Sequence, residues 1–333
     1  MPSIGAQRLI DAVIAAVEES GCSAICLRKK GQVHPREFLI TSLSEESHLL
    51  WVYIWTLTFG GRRSLPNEYR IQMTTVSSPL GLNPHGPTVL LGYEPSLKLF
   101  AGFDVEFHRR FTEGSPMVSI DIEVVKQAMQ DGLSFHRKSN REIAIGIRPD
   151  QFINYAHHAI QLHKLGRQPA TCGLLSRAAA LEPITEQEVA SLPEERKRIV
   201  QTVSRLSREG TFKRQVLSAY DNRCAVTRAQ LKLVDAAHIL PVGAPESVDD
   251  VCNGIALSPT YHRAYDNGLI YLDEDYLMQL NVAKADELAS LNLDVGIEQF
   301  KSPLGRIFLP HDRRQRPNVR FVRKANQYRL NAS

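Results

Sequence analysis

Three side chains spaced along one short stretch are suited to cutting a phosphodiester. They are His238 in Asp235-Ala-Ala-His-Ile-Leu-Pro241, Asn253 in Asn-Gly-Ile-Ala-Leu257, and His262 in Ser258-Pro-Thr-Tyr-His-Arg-Ala-Tyr-Asp266. Phosphodiester hydrolysis needs an activated water, charge stabilisation on the phosphate and help for the leaving oxygen. An imidazole with a free nitrogen removes a proton from water, and a divalent ion holds the phosphate. His238 is assigned as general base and His262 as metal ligand. The carboxamide of Asn253 either orients the strand that bears the base or sits close to the metal.

The elements that position these groups are readable from the pattern. Leu233, Val234, Ile239 and Leu240 flank His238 with apolar residues, and Pro241 stops ladder pairing. Gly254 is read as a point where the chain bends sharply. Ser258 is a good N-cap and Pro259 a good first helical residue, so His262 lies about one turn into a helix. Asp266-Asn-Gly268 ends that helix, and Leu269–Leu272 resumes as a strand. Asp266 is assigned to capping and surface pairing, with metal binding as the alternative. Arg263 is assigned either to a phosphate or to solvent.

This run resembles the HNH family of ββα-metal nucleases. The resemblance extends to Phe212-Lys-Arg-Gln-Val-Leu-Ser-Ala-Tyr220 and Arg223-Cys-Ala-Val-Thr227, which are similar to the helix and turn before the motif in one HNH subgroup. It covers roughly residues 210–275. Arg228 stands where that subgroup usually has Gly, and Asp235 where it commonly has Glu. Ala237 stands where many members carry a metal-binding Asp or His. The ligand set then rests on His262 with Asp235 as its first partner, Asp249 and Asp250 being further candidates, completed by water. The resemblance implies catalytic roles for His238, Asn253 and His262, and a divalent ion, Mg²⁺ first and Mn²⁺ or another ion as alternatives. Two cysteines in this region, Cys224 and Cys252, are too few for a four-thiolate zinc site, so no structural zinc is expected.

The remainder of the 333 residues bounds the setting. Length suggests two or three domains. Five cysteines form an odd, sparse set that fits a reducing cytoplasm. No apolar run reaches membrane-spanning length, and the start (Met1-Pro-Ser-Ile-Gly-Ala-Gln-Arg) lacks a signal-peptide layout. The net charge of +4 is uneven: residues 301–333 hold nine Lys or Arg against one acid, a local +8 that leaves −4 elsewhere. Such a tail can neutralise phosphates and release counterions. Arg313, Arg314 and Arg316 are its expected DNA contacts, alongside Arg263.

The fold class expected is α+β. Residues 1–165 form a β-rich domain, possible as a pseudobarrel, that reads DNA; 166–209 are a helical connector; 210–333 are the HNH nuclease domain with its basic tail. Ile4, Leu9, Ile10, Val13, Ile14 and Val17 predict a first helix, and strands follow at Leu49–Thr58, Glu68–Thr75, Thr88–Tyr93, Leu97–Phe103 and Glu142–Ile147. Residues 166–183 read as a connector, with helical character from Thr185 to about Arg208 and a second helix over Thr211–Tyr220 after Gly210. In the first domain, Arg62, Arg63, Asn67, Arg70 and Gln72 are types that pair with guanine or adenine edges. Trp51, Tyr53, Trp55, Tyr69 and Tyr93 are core aromatics or, alternatively, stacking faces for an extruded base. The order of parts resembles restriction endonucleases, some of them modification-dependent. The expectation is therefore a cytoplasmic restriction enzyme that cuts double-stranded DNA as a homodimer, without a membrane partner. A homing or mobile-element nuclease, and a non-catalytic DNA-binding protein on a degenerate HNH scaffold, are the alternatives.

Overall fold

Alternation along one strand organises the first half of the chain. In Ser47–Thr56, Leu50, Val52 and Ile54 enter one hydrophobic core while Tyr53 and Trp55 enter another on the opposite face. A strand buried on both faces must be sandwiched, and it is. The structure is a computed structural model and describes residues 4–27, 33–42, 46–112, 114 and 116–330. Of the opening stretch read for a signal peptide, Met1–Ser3 lies outside the described residues. The chain divides into two compact units between Ser207 and Arg208.

The first unit runs α1 (Ala6–Glu19), β1 (Ser23–Leu27), β2 (Arg36–Thr41), β3 (Ser47–Thr56), β4 (Thr58–Phe59), β5 (Glu68–Gln72), β6 (Thr88–Glu94), β7 (Leu99–Phe103), α2 (Val105–His108), β8 (Met117–Asp121), α3 (Ile122–Asp131), β9 (Leu133–Arg137), β10 (Ile143–Ile147), α4 (Phe152–Gly166), α5 (Pro169–Ala179), α6 (Glu186–Ala190) and α7 (Glu194–Ala219). Seven strands form one sheet in the order β1-β2-β3-β6-β7-β10-β9, antiparallel throughout except for the parallel β3–β6 pair. A smaller antiparallel sheet, β4-β5-β8, packs with α3 over one face. Helices α1, α4 and α5 cover the other.

The fold class is α+β as expected, but the pseudobarrel is not formed. The large sheet is open, with β1 and β9 as edges, because two layers already bury both its faces. The connector also differs. Residues expected as linker form α5, opened by Pro169, and place Cys172, Leu175, Ala178 and Ala179 in the first core. Gly210 does not divide two helices; α7 runs through it. Tyr53 and Trp55 are 2% and 8% exposed, so they are core and not stacking faces.

The second unit continues from the end of α7 with β11 (Asp235–His238), β12 (Gly254–Leu257), α8 (Pro259–Asp266), β13 (Ile270–Leu272), β14 (Leu277–Leu280), α9 (Val282–Ser290), α10 (Ile297–Lys301), β15 (Gly305–Arg306) and α11 (Val319–Leu330). β11 and β12 form a two-stranded hairpin and β13-β14-β15 a three-stranded sheet. Phe212, Val216, Ile239, Ile255, Leu257, Tyr265, Ile270 and Val322 share its core. The basic tail is therefore part of the fold: Val322 and Ala325 are fully buried. Its charges are largely paired within the unit. Arg320 and Lys324 bond Glu246, and Arg323 meets Glu274 at 2.7 Å.

Candidate active site

The antiparallel register sets His238 opposite Gly254 and Asp235 opposite Leu257. Ala237 faces the core at 1% exposure, so the position where relatives carry a metal-binding Asp or His is here a packing position. The glycine opposite His238 does not bend the chain. Its backbone is extended, at φ −119° and ψ 149°. What requires glycine is proximity: a Cβ there would lie 2.2 Å from Val216 and 3.1 Å from Phe212, both on α7.

The ring of His238 lies flat on Phe212, with centroids 3.8 Å apart and planes 10° apart. Its Nε2 donates to Asp249 Oδ1 at 3.0 Å. A carboxylate only accepts, so the hydrogen sits on Nε2 and the lone pair on Nδ1. The loop that carries Asp249 is held by Asn253, which is 0% exposed. Its Oδ1 accepts from Leu240 N at 2.8 Å, and its Nδ2 donates to Val248 O at 2.9 Å, Leu240 O at 3.2 Å and Ser247 Oγ at 3.3 Å. Its two amide hydrogens are shared among those three acceptors, and the buried carboxamide ties the strand to the loop without lining the cleft.

His262 is bracketed by two carboxylates. Nδ1 meets Asp235 Oδ2 at 3.4 Å and Nε2 meets Asp266 Oδ2 at 3.2 Å. These bonds, Asp235's the larger, outweigh partial burial and push its pKa up to about 9. The two rings meet in one cleft of about 460 Å³, lined among others by Ala236, His238, His262, Asp266, Lys284 and Arg329.

A family model described as HNH endonuclease matches residues 224–273. The chain carries an HNH endonuclease domain. A second family model, Methylase-associated X1, matches residues 48–156 in the first unit. Among solved structures, a modification-dependent TagI restriction endonuclease is similar over 85% of this chain and 81% of its own, at 11% identity and a TM-score of 0.29. A comparison with curated proteins finds no match.

Within the HNH domain, the donors are imidazole and carboxylate, a mixed set that suits a divalent ion. The two carboxylates meet opposite ring nitrogens of His262, so one ion at that ring takes one of them. Asp266 lines the cleft beside Nε2, whereas Asp235 holds Nδ1 in the manner of an outer partner that fixes a ligating ring. Among the described residues, no three His, Cys, Asp or Glu side chains converge as donors. His262 and Asp266 are the two cleft side chains that could hold such an ion, with water and phosphate completing its shell. Asp266 is the i+4 neighbour of His262 on α8, and the surface pairing expected of it is made with that ring.

The DNA-contact candidates fall into two groups. Arg263 and Arg313 are exposed, Arg314 is clamped on Asp312 at 3.0 Å, and Arg316 donates to Pro310 O at 2.9 Å. In the first unit, Arg70 and Gln72 share the side of β5 opposite buried Ile71, and Arg63 and Asn67 are exposed in the preceding loop. Arg62 leans on Glu68 at 3.5 Å.

Proposed function

We propose that the protein is a divalent-metal-dependent endonuclease that hydrolyses double-stranded DNA and serves restriction. The observation that carries the reading is His238: its tautomer is set by Asp249, its ring rests on Phe212, and it shares a cleft with His262. His238 Nδ1 removes a proton from water as that water attacks phosphorus, and Asp249 stabilises the imidazolium so formed. The P–O bond to the leaving oxygen then breaks, and solvent protonates that oxygen. Asn253 keeps the base-bearing strand and the Asp249 loop in register. His262 and Asp266 hold the ion, oriented by Asp235. The ion, when bound, supplies charge stabilisation on the phosphate and on the leaving oxygen.

Restriction is supported by the first unit, whose matching family is described as methylase-associated. Residues Arg63, Asn67, Arg70 and Gln72, with Arg62, are its base-contact candidates, and Arg263, Arg313, Arg314 and Arg316 are phosphate candidates in the second unit. Cutting both strands calls for two active sites, hence a homodimer. Among the described residues no helix is long and apolar enough to cross a membrane, and the reading places the enzyme in the cytoplasm.

The test is digestion of matched methylated and unmethylated plasmids with Mg²⁺, Mn²⁺ or EDTA. Cleavage that needs the ion and differs between the two DNAs is expected. Ion-independent cutting, or none on any DNA, removes the reading.

A further inference from the structure

Arg329 is the least expected cation in the molecule. It is 6% exposed on α11, and among the described residues no carboxylate pairs with it. A buried guanidinium without a counter-ion is costly unless its donors are satisfied. Here they are met by carbonyls. Nε donates to Tyr265 O at 3.0 Å, Nη1 to Ile239 O at 2.6 Å, and Nη2 makes a long contact to His238 O at 3.5 Å. Its Cζ lies 3.8 Å over the Tyr265 ring.

The partners of this fork belong to two different elements. His238 and Ile239 are the end of the strand that bears the base, while Tyr265 is one turn beyond His262 on the helix that bears the ligand. The only other side-chain bond between these elements among the described residues is the 3.4 Å contact of Asp235 with His262. A planar, delocalised fork can bond divergent carbonyls and stack on a ring at once; a lysine cannot.

We propose that Arg329 is a positioning residue that fixes the separation of the His238 and His262 rings across the cleft. The proposal rests on the nuclease reading for its kinetic consequence, not for its geometric one. A misplacement of reacting groups by about 1 Å costs about 10²-fold in rate, and that is the loss expected for Arg329→Lys under single-turnover conditions, with DNA affinity unchanged.

The experiment combines plasmid cleavage, DNA binding, thermal melting and ¹⁵N spectra of the histidine rings. Arg329→Lys is expected to melt cooperatively, to bind DNA as the parent does, to cut slowly and to shift the ring signals of both His238 and His262. A loss of rate that tracks a loss of DNA affinity makes Arg329 a phosphate contact and overturns the proposal. Unmoved ring signals overturn it too. If the parent protein cuts no DNA, the nuclease reading fails while the ring signals still decide the positioning claim. If the Lys variant does not fold, Arg329→Gln, which keeps a planar donor, is read in the same way. Unfolding of both makes Arg329 a stability element and nothing more.

Discussion

His163 of the first unit and the cleft histidines of the second use the same ring in opposite ways. In the first, His163 is sealed between strands and helix. Its Nδ1 donates to Ile143 O at 2.8 Å, and its Nε2 accepts from Tyr155 Oη at 2.9 Å. Burial drives its pKa down, so the ring stays neutral and acts as a strut. In the second, His238 and His262 bond carboxylates and border a cleft. His163 is a brace whose nitrogens both face neutral partners, whereas His238 has a carboxylate on one nitrogen and His262 a carboxylate on each. Partner chemistry separates the two roles more sharply than burial does.

The largest break in that contrast comes from deleting each ring. His238→Ala is expected to lower cleavage by about 10²–10⁴-fold, while DNA retention in a gel-shift assay stays near the parent value. His163→Ala is expected to leave the rate per folded molecule unchanged and lower the melting temperature. Residual parent-like cutting by His238→Ala would erase the distinction.

The next effect sharpens the division of labour around His262. Asp266→Asn is expected to weaken Mn²⁺ binding, read by calorimetry, more than Asp235→Asn does. An outer-partner loss is worth about 10–100-fold in metal affinity. The reverse order would make Asp235 the ligand and Asp266 the support.

Asn253→Ala removes four bonds and strands the Leu240 amide among buried groups. The expected cost is about 1–3 kcal/mol, measured by urea unfolding, together with slower cutting. A variant as stable as the parent would mean that the loop does not depend on that carboxamide.

The smallest effect is on the pH dependence of the first unit. Burial alone would raise the Glu142 carboxyl, but hydrogen bonds from His108 and Lys138, at 2.6 and 2.9 Å, hold it down at about 2. A depressed carboxyl contributes stability above its unfolded value near 4.5 that is lost as pH falls toward 2. The buried His163 works in the same direction, beginning below about pH 6.5. Glu142→Gln should therefore flatten the acid limb of a melting-temperature profile, leaving the His163 part. An unchanged limb would place the acid sensitivity elsewhere.

Much of the second unit was legible because its signals are local. A strand end, a Ser-Pro helix start and an Asn-Gly helix stop each lie within a few residues, and α8 closes on Gly268 at φ +71° as its sequence predicts. What escaped was non-local. Gly254 reads as a bend from its neighbours, yet its constraint comes from Val216 on another element. The tail reads as charge for phosphate contact, but Val322, Ala325 and Arg329 fall three and four apart and make one buried helical face. In the first unit, each strand of the β6–β7 hairpin was readable. The parallel pairing of β3 with β6 was not, because nothing in either strand encodes its neighbour. Helix α5 was hidden by weak formers, Thr171, Cys172 and Gly173 among them.

Gly254 carries a consequence for mutational tolerance. The residue facing His238 across the hairpin is hydrogen where every other amino acid has carbon, and the space beyond it is taken by Val216 and by the Phe212 ring that lies flat on the imidazole. One added methyl group, the smallest change a codon can make there, pushes on the aromatic plate beneath the base and on the backbone across from it at the same moment. The steric tolerance of the whole catalytic hairpin is thus set by a position that contributes no functional group at all.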